Sequence, residues 1–207
     1  MSLQSTKSTS TPRDFTLSVL TEDKAGLINQ LTIIFTKRKI NISSLNVSNS
    51  EVSGVSRFTI VTRTSRNMVD KIVKQIRKLI DVLGAFVYEE DQIFYQEIAL
   101  YKVPTKAFIN GNSVEDLVRN SGARILVVEE DCIIIEKTGH SKETHDLYQK
   151  LEPFGLLEFI RSGRVAVSKS TRKTEAYIKG LEASNSKKVI TLTNQLIKCF
   201  FTPFYSE

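Results

Sequence analysis

The sequence predicts an α+β protein of two tandem ferredoxin-like βαββαβ domains followed by a C-terminal tail. Three observations carry this. Twice along the chain an extended, apolar run leads into a stretch of helical period, two further extended runs, a second helical stretch and a closing run. An acidic cluster, Glu89-Glu90-Asp91, separates the two cycles. The first run ends in a short polar loop, Thr21 to Ala25, that passes straight into a helix at Gly26. Such an order folds as two helices on one face of an antiparallel sheet. The repeat is one of order, not of residues.

The elements follow in sequence. Phe15 to Leu20 reads as the first strand. From Gly26, residues Leu27, Ile28, Leu31, Ile34 and Phe35 recur at three and four, which puts them on one helix face. After Lys37-Arg38-Lys39 the chain turns at Asn41 into a second strand, Ile42 to Ser48. A third strand runs from Val55 to Arg63, alternating and β-branched, with Gly54 in the turn before it. A helix from Asn67 to Ile80 presents Val69, Ile72, Val73, Ile76 and Ile80, and Val82 to Tyr88 closes the first domain. In the second, strand Tyr95 to Val103 precedes a helix near Ser113 to Ser121 with Val114, Leu117 and Val118 inward. Arg124 to Val128 and Cys132 to Glu136 pair around Glu130-Asp131. A helix from Ser141 to Leu151 buries Leu147, Tyr148 and Leu151. An extended run, Leu156 to Ile160, then Arg161-Ser162-Gly163 and a last strand, Val165 to Ser168, complete it. The divisions are thus a disordered tail over 1–13, domains over 14–89 and 94–168, and a basic extension over 169–207. Thr171 to Glu182 has weak helical character, and Val189, Leu192, Leu196, Phe200 and Phe201 recur at near-helical spacing. Apolar residues so spaced are costly to leave in water, so the extension is expected to dock on the body or on a partner.

Composition narrows the classes. At 207 residues, 41% apolar and 25% charged, the chain is an ordinary globular protein with room for one or two domains. No apolar run approaches the roughly 18–20 residues that cross a bilayer, and the N-terminus lacks the apolar core of a secretory signal. A cytoplasmic location is therefore expected. Cys132 and Cys199, far apart and among apolar neighbours, suit buried thiols in a reducing compartment. The net charge of +6 lies in the ends: Lys7 and Arg13 precede the first domain, and seven basic against three acidic residues follow Ser168. The stretch 14–168 is neutral, so it lacks the clustered positive charge that tracks phosphates.

The chemistry concentrates at the loop Thr21 to Ala25 and Gly26. A helix N-terminus presents unpaired N–H groups and the positive end of its dipole, which suits a carboxylate or phosphate. Gly26, without a Cβ, lets a ligand approach the backbone, or it simply turns a corner. Elsewhere no catalytic constellation emerges. His140 and His145 have no third ligand at metal spacing and read as exposed helix residues. No glycine-rich phosphate loop is present. An RNA-recognition domain would need exposed aromatics on its central strands, where the third strand offers Phe58 alone. An acylphosphatase-like enzyme would need glycines and an arginine after the first strand, where TEDKAG brings two acids instead.

Six segments, in their order and spacing, point to a family. They are SVLTEDKAGL (Ser18 to Leu27), NISSL (Asn41 to Leu45), SRFTI (Ser56 to Ile60), LIDVL (Leu79 to Leu83), QEIALYKV (Gln96 to Val103) and LEFIRSG (Leu157 to Gly163). Residues 14–168 resemble the small, regulatory subunits of acetolactate (acetohydroxyacid) synthase, whose first domain is an amino-acid-binding ACT domain. The resemblance implies a non-catalytic subunit that activates a large catalytic subunit through the second domain. It also implies feedback by valine or a related amino acid bound where two ACT domains pair as a homodimer. Thiamine diphosphate, magnesium and FAD would belong to the catalytic partner. The matching site positions are Asp23, Lys24, Ala25, Gly26 and Leu27 of one chain, facing Asn41 and Ile42 of the other. The N–H groups near Gly26 and Leu27 would take the ligand's carboxylate. Asp23 and the Asn41 side chain would take its ammonium, and Leu27 or Ile42 would wall its side chain. Alternatively Asp23 caps the helix and Asn41 tolerates a positive φ. A free-standing ACT sensor is the alternative function; LEFIRSG favours the synthase subunit. Two departures stand out: a polar hairpin at Asn49, Ser50 and Ser53, and Gly84 where a larger residue is expected. The resemblance says nothing about 169–207.

Overall fold

The computed structural model describes residues 11–109, 113–171 and 173–181. The first domain is a four-stranded antiparallel sheet of order β2-β3-β1-β4, from β1 (Arg13–Glu22), β2 (Ser44–Asn49), β3 (Val55–Thr64) and β4 (Val82–Tyr88). Helices α1 (Leu27–Thr36) and α2 (Arg66–Ile76) cover one face. The alternation of β1 sends Phe15, Leu17 and Val19 to that face, where they meet Leu27, Leu31, Ile34, Phe35, Val69, Ile72 and Ile76 in one core. The two central strands, β1 and β3, are the most buried, and outer β2 (SLNVSN) is polar.

Three expectations need correction here. Ile28 is 49% exposed, because the core-facing arc of α1 is filled by Leu27, Leu31, Ile34 and Phe35. Ile80 is 94% exposed, since α2 stops at Ile76 and the chain turns toward β4 before Ile80 could face inward. The turn after α1 places its positive φ on Lys39 (54°), not Asn41. There Ile40 N–H donates to Phe35 O and Lys39 N–H to Thr36 O, the paired bonds of a Schellman ending.

The second domain repeats the plan with β5 (Ile93–Pro104), β6 (Arg124–Val128), β7 (Cys132–Gly139) and β8 (Glu158–Arg161) in order β6-β7-β5-β8. Its helices are α3 (Lys106–Ile109), α4 (Ser113–Asn120) and α5 (Ser141–Leu151). Its core gathers Ala99, Tyr101, Val103, Val114, Val118, Ile133, Ile135, Leu147 and Leu151. Leu117 and Tyr148 pack against it half-buried, and Cys132 is half-buried rather than enclosed. Both histidines are exposed.

Strand β9 (Val165–Ser168) continues β8 along β5. Arg161 pairs with Ala99 and Val165 with Gln96, so three residues, Ser162 to Arg164, oppose two on β5. That is a β-bulge, which bends the strand and re-aims its side chains. Among the described residues beyond β9, 174–181 form a further helix, α6, as the weak helical character of the sequence predicts. The apolar residues at 189–201 lie outside the described residues.

Candidate functional site

Loop 22–26 hangs from the ends of three strands. Glu22 N–H donates to Asp81 O (3.0 Å), and Asp23 N–H donates to Gly54 O (2.9 Å). Gly26 then takes φ 87°, a left-handed conformation that favours glycine, and opens α1. A Cβ there would meet nothing within 4 Å among the described residues, so these leave the space before the helix open. The first intrahelical bond runs from Gln30 N–H to Gly26 O (3.2 Å), which leaves the N–H groups of Leu27, Ile28 and Asn29 ahead of the ladder. Among the described residues no side chain caps them. Asp23 in particular is not a cap: its Oδ1 accepts a bond from Ser56 Oγ at 3.0 Å, which ties the loop to β3.

Lys24 lies at the same end but is already engaged. Its ammonium contacts Glu22 at 2.6 Å and Asp81 at 2.9 Å. The hydrogen bonds it donates to the Glu22 and Asp81 carboxylates push its pKa above the ordinary lysine value. The anion-binding capacity therefore rests on backbone N–H groups. Leu27, only 2% exposed, belongs to the core and cannot line a ligand's side chain as the sequence suggested. Asp23, Lys24, Ala25, Gly26, Ile28 and Asn29 are exposed at this end.

Asn41 and Ile42 sit past the far end of α1, whose ten residues rise about 15 Å. Asn41 is exposed with its carbonyl accepting from Thr62 Oγ1 (2.8 Å), and Ile42 is half-buried against the core. One chain thus keeps the two halves of the expected site at opposite helix ends.

Sequence reading missed what joins the domains. The bulge turns Arg164 onto the open face of the first sheet, where it is 7% exposed. Its Nη1 donates to Thr16 Oγ1 (3.0 Å), its N–H donates to Ser44 Oγ (3.1 Å), and its guanidinium lies 3.7 Å over the Tyr95 ring. Glu97, also buried, approaches it at 3.9 Å and meets Arg161 at 3.3 Å. The Tyr95 phenol is pushed up to about 12, first by burial and then by its bond to Glu90, so it stays protonated beneath the arginine. A Cβ on Gly163 would lie 3.0 Å from Ser44 Oγ and 3.3 Å from Leu45 O. Gly163→Ala is accordingly expected to lower stability by about 1–3 kcal/mol through overpacking. An unchanged thermal midpoint would show that the two sheets do not approach so closely. The only sequence signal for this junction was a glycine after Arg161-Ser162, which marks a bulge or a close approach without naming the partner.

Comparison with known proteins fits this architecture. Residues 17–84 match the family described as AHAS small subunit-like ACT domain, and residues 96–170 match the one described as small subunit of acetolactate synthase. An acetolactate synthase small subunit from Mycolicibacterium smegmatis is 38% identical over 157 residues, covering 76% of this chain and 92% of that protein. One from Bacillus subtilis is 34% identical over 166 residues, covering 78% and 92%. The crystal structure of the small subunit from Thermotoga maritima aligns with a TM-score of 0.70 at 27% identity, over 77% of this chain and 99% of that one. Among the described residues no helix is long and apolar enough to cross a membrane. From fold, segment order and sequence alike, this chain belongs to the acetolactate synthase small subunit family.

Proposed function

We propose that the protein is the regulatory subunit of acetolactate synthase in branched-chain amino acid biosynthesis, activating a large catalytic subunit and conferring feedback by valine or a close relative. The observation that carries the effector site is the uncapped N-terminus of α1 behind Gly26, open to solvent and flanked by a lysine that its own acids have neutralised. A zwitterionic amino acid matches it: N–H groups for the carboxylate, and the Asp23 carboxylate and Asn41 amide oxygen for the ammonium. Because one chain holds Gly26 and Asn41 at opposite ends of α1, a complete site needs two copies. Support for such a homodimer comes from exposed Ile28 and Ile33 on α1 and Val47 on the outer strand β2.

The second domain has its own apolar surface that the described residues leave uncovered. Alternation along β5 exposes Phe94, Ile98 and Leu100, and the adjoining strands β8 and β9 add Ile160, Val165 and Val167. An apolar sheet face of this kind suits contact with another protein, here the catalytic subunit. Coupling runs from Asn41 and Ile42 into β2, whose Ser44 accepts from Arg164, and so into β5 and that face. Such coupling is typically worth about 1–3 kcal/mol, or roughly five- to 150-fold in affinity. The reaction's thiamine diphosphate, magnesium and FAD sit on the catalytic partner in this reading.

Calorimetry with valine, leucine and isoleucine tests the sensor; one of them should bind at millimolar concentration or below. Sedimentation should show a dimer at tens of micromolar with that ligand present. Mixing with the catalytic subunit of the same organism should raise acetolactate formation, and the ligand should then suppress it. Asn41→Ala should weaken binding and keep activation. No branched-chain ligand means the site is misassigned. Binding without any effect on the catalytic subunit would leave the free-standing sensor.

A further inference from the structure

The family matches end at residue 170, yet residues 173–181 are built into the first domain. Helix α6 lies on the open face of the first sheet, opposite α1 and α2. Ile178 is 6% exposed in a small second core with Leu20, Val55, Val52, Leu83 and Phe86. The Tyr177 ring stands edge-on to Phe86, 5.2 Å between centroids, and its hydroxyl reaches Leu83 O at 3.4 Å. Arg57 Nη2 donates to Thr174 Oγ1 at 3.0 Å, and the Thr174 hydroxyl is the largest influence holding the Glu51 carboxyl below its usual value. Gly84 makes the seat. A Cβ there would come within 2.8 Å of Tyr177 Cε1 and 3.1 Å of its hydroxyl oxygen, so a larger residue would displace the ring.

The seat adjoins the effector loop. Val55 follows Gly54, whose carbonyl holds Asp23 N–H, and Leu83 lies two residues after Asp81, whose carbonyl holds Glu22 N–H. Leu20 is the strand residue two positions before Glu22. Thus the side chains gripped by Tyr177 and Ile178 belong to the strand ends that carry the loop.

We propose that residues 173–181 are a brace for loop 22–26: by clamping the ends of β1, β3 and β4 they hold the loop in its binding conformation and set its affinity for the effector. The affinity half of this proposal rests on the effector reading given above. The brace itself does not. Local order of a loop depends on the packing beneath its anchors, and loosening that packing raises the population of open states.

The test is amide exchange on the full chain, with Ile178→Asp and the milder Tyr177→Ala. Exchange at Glu22 and Asp23 should quicken roughly tenfold in a protein that remains folded, as expected for loss of one buried anchor. Valine binding should weaken by a comparable factor. Gly84→Ala should lower the thermal midpoint clearly more in the native background than beside Tyr177→Ala, where only Phe86 Cε2, at 3.2 Å, still crowds the added methyl. Unchanged exchange at 22–26 in both variants, or an equal effect of Gly84→Ala in both backgrounds, overturns the brace. Faster exchange with undiminished valine affinity overturns its role in sensing. If the native chain binds no valine, the effector reading falls, while exchange and the Gly84 cycle still decide the brace.

Discussion

Replacing Arg164 with alanine is expected to lower the stability of the chain by about 3 kcal/mol, the range found when one partner of a buried charge pair is removed. Thermal unfolding should fall by roughly 6–12 °C for a protein of this size. The magnitude follows from what the side chain does. It is buried, bonded to Thr16, packed on Tyr95 and close to Glu97, and its own backbone holds Ser44. Removal leaves Glu97 buried with Arg161, itself partly exposed, as its remaining cation. A lysine should not rescue, because a single ammonium cannot bond Thr16, approach Glu97 and stack on a ring together. Arg161→Ala should cost less, since Arg161 keeps contact with water. The functional signature matters more than the midpoint. With the domains loosened, valine should still bind the first domain but suppress the catalytic subunit less. Native-like stability of Arg164→Ala would remove this residue from the junction. Full suppression by valine in that variant would mean that the signal takes another route.

Much of this was legible in the residues, and the failures have definite causes. Strand β5 and helix α5 were readable because burial on one face imposes a period of two or of 3.6, whereas β1, β3, β4 and β7 were readable as apolar, β-branched runs between turn signals. Ile28 and Ile80 went astray for the same reason in reverse: periodicity marks an apolar stripe but not the width of the arc that neighbours fill. Leu27 was placed in the site because its backbone is there, yet a helix side chain at that position points into the core. Lys39 held the positive φ that the sequence suggested for Asn41, because a helix ending is fixed by where its last bonds close. Long-range features stayed hidden. Gly163 beside Arg164 marks a close approach without naming its partner, and a charged residue in a strand reads as solvated. Gly84 looked like an unexplained departure, and the weak helix near 174–181 belonged to an extension expected to dock without a docking site in view. The two explain each other only once Tyr177 lies over Gly84.

The strongest effect on sensing is expected from Gly26→Asp, which should abolish valine binding while leaving a folded protein. Two opposing consequences have to be weighed. A side chain at φ 87° carries a strain of about 1–2 kcal/mol, although aspartate tolerates that region better than most residues. Against this, the position is open within 4 Å, so there is no clash. A carboxylate before the helix also interacts favourably with its dipole and its unpaired N–H groups, by roughly 0.5–1 kcal/mol. The two nearly offset, and stability should change little. Binding has no such compensation. The new carboxylate sits where the ligand's carboxylate is expected and occupies the same donors. Charge-assisted bonds contribute about 1.5–3 kcal/mol each, so losing two weakens the ligand by at least roughly a hundredfold. Gly26→Ala separates strain from competition: it has the same backbone cost without the charge and should retain most of the affinity. The comparison is made by calorimetry on the three proteins, followed by assays with the catalytic subunit. Gly26→Asp should activate that subunit as the native chain does, with no response to valine. Native-like binding by Gly26→Asp would place the ligand's carboxylate elsewhere. Loss of activation together with binding, in a folded variant, would show that sensing and activation share this loop and cannot be separated by changing it.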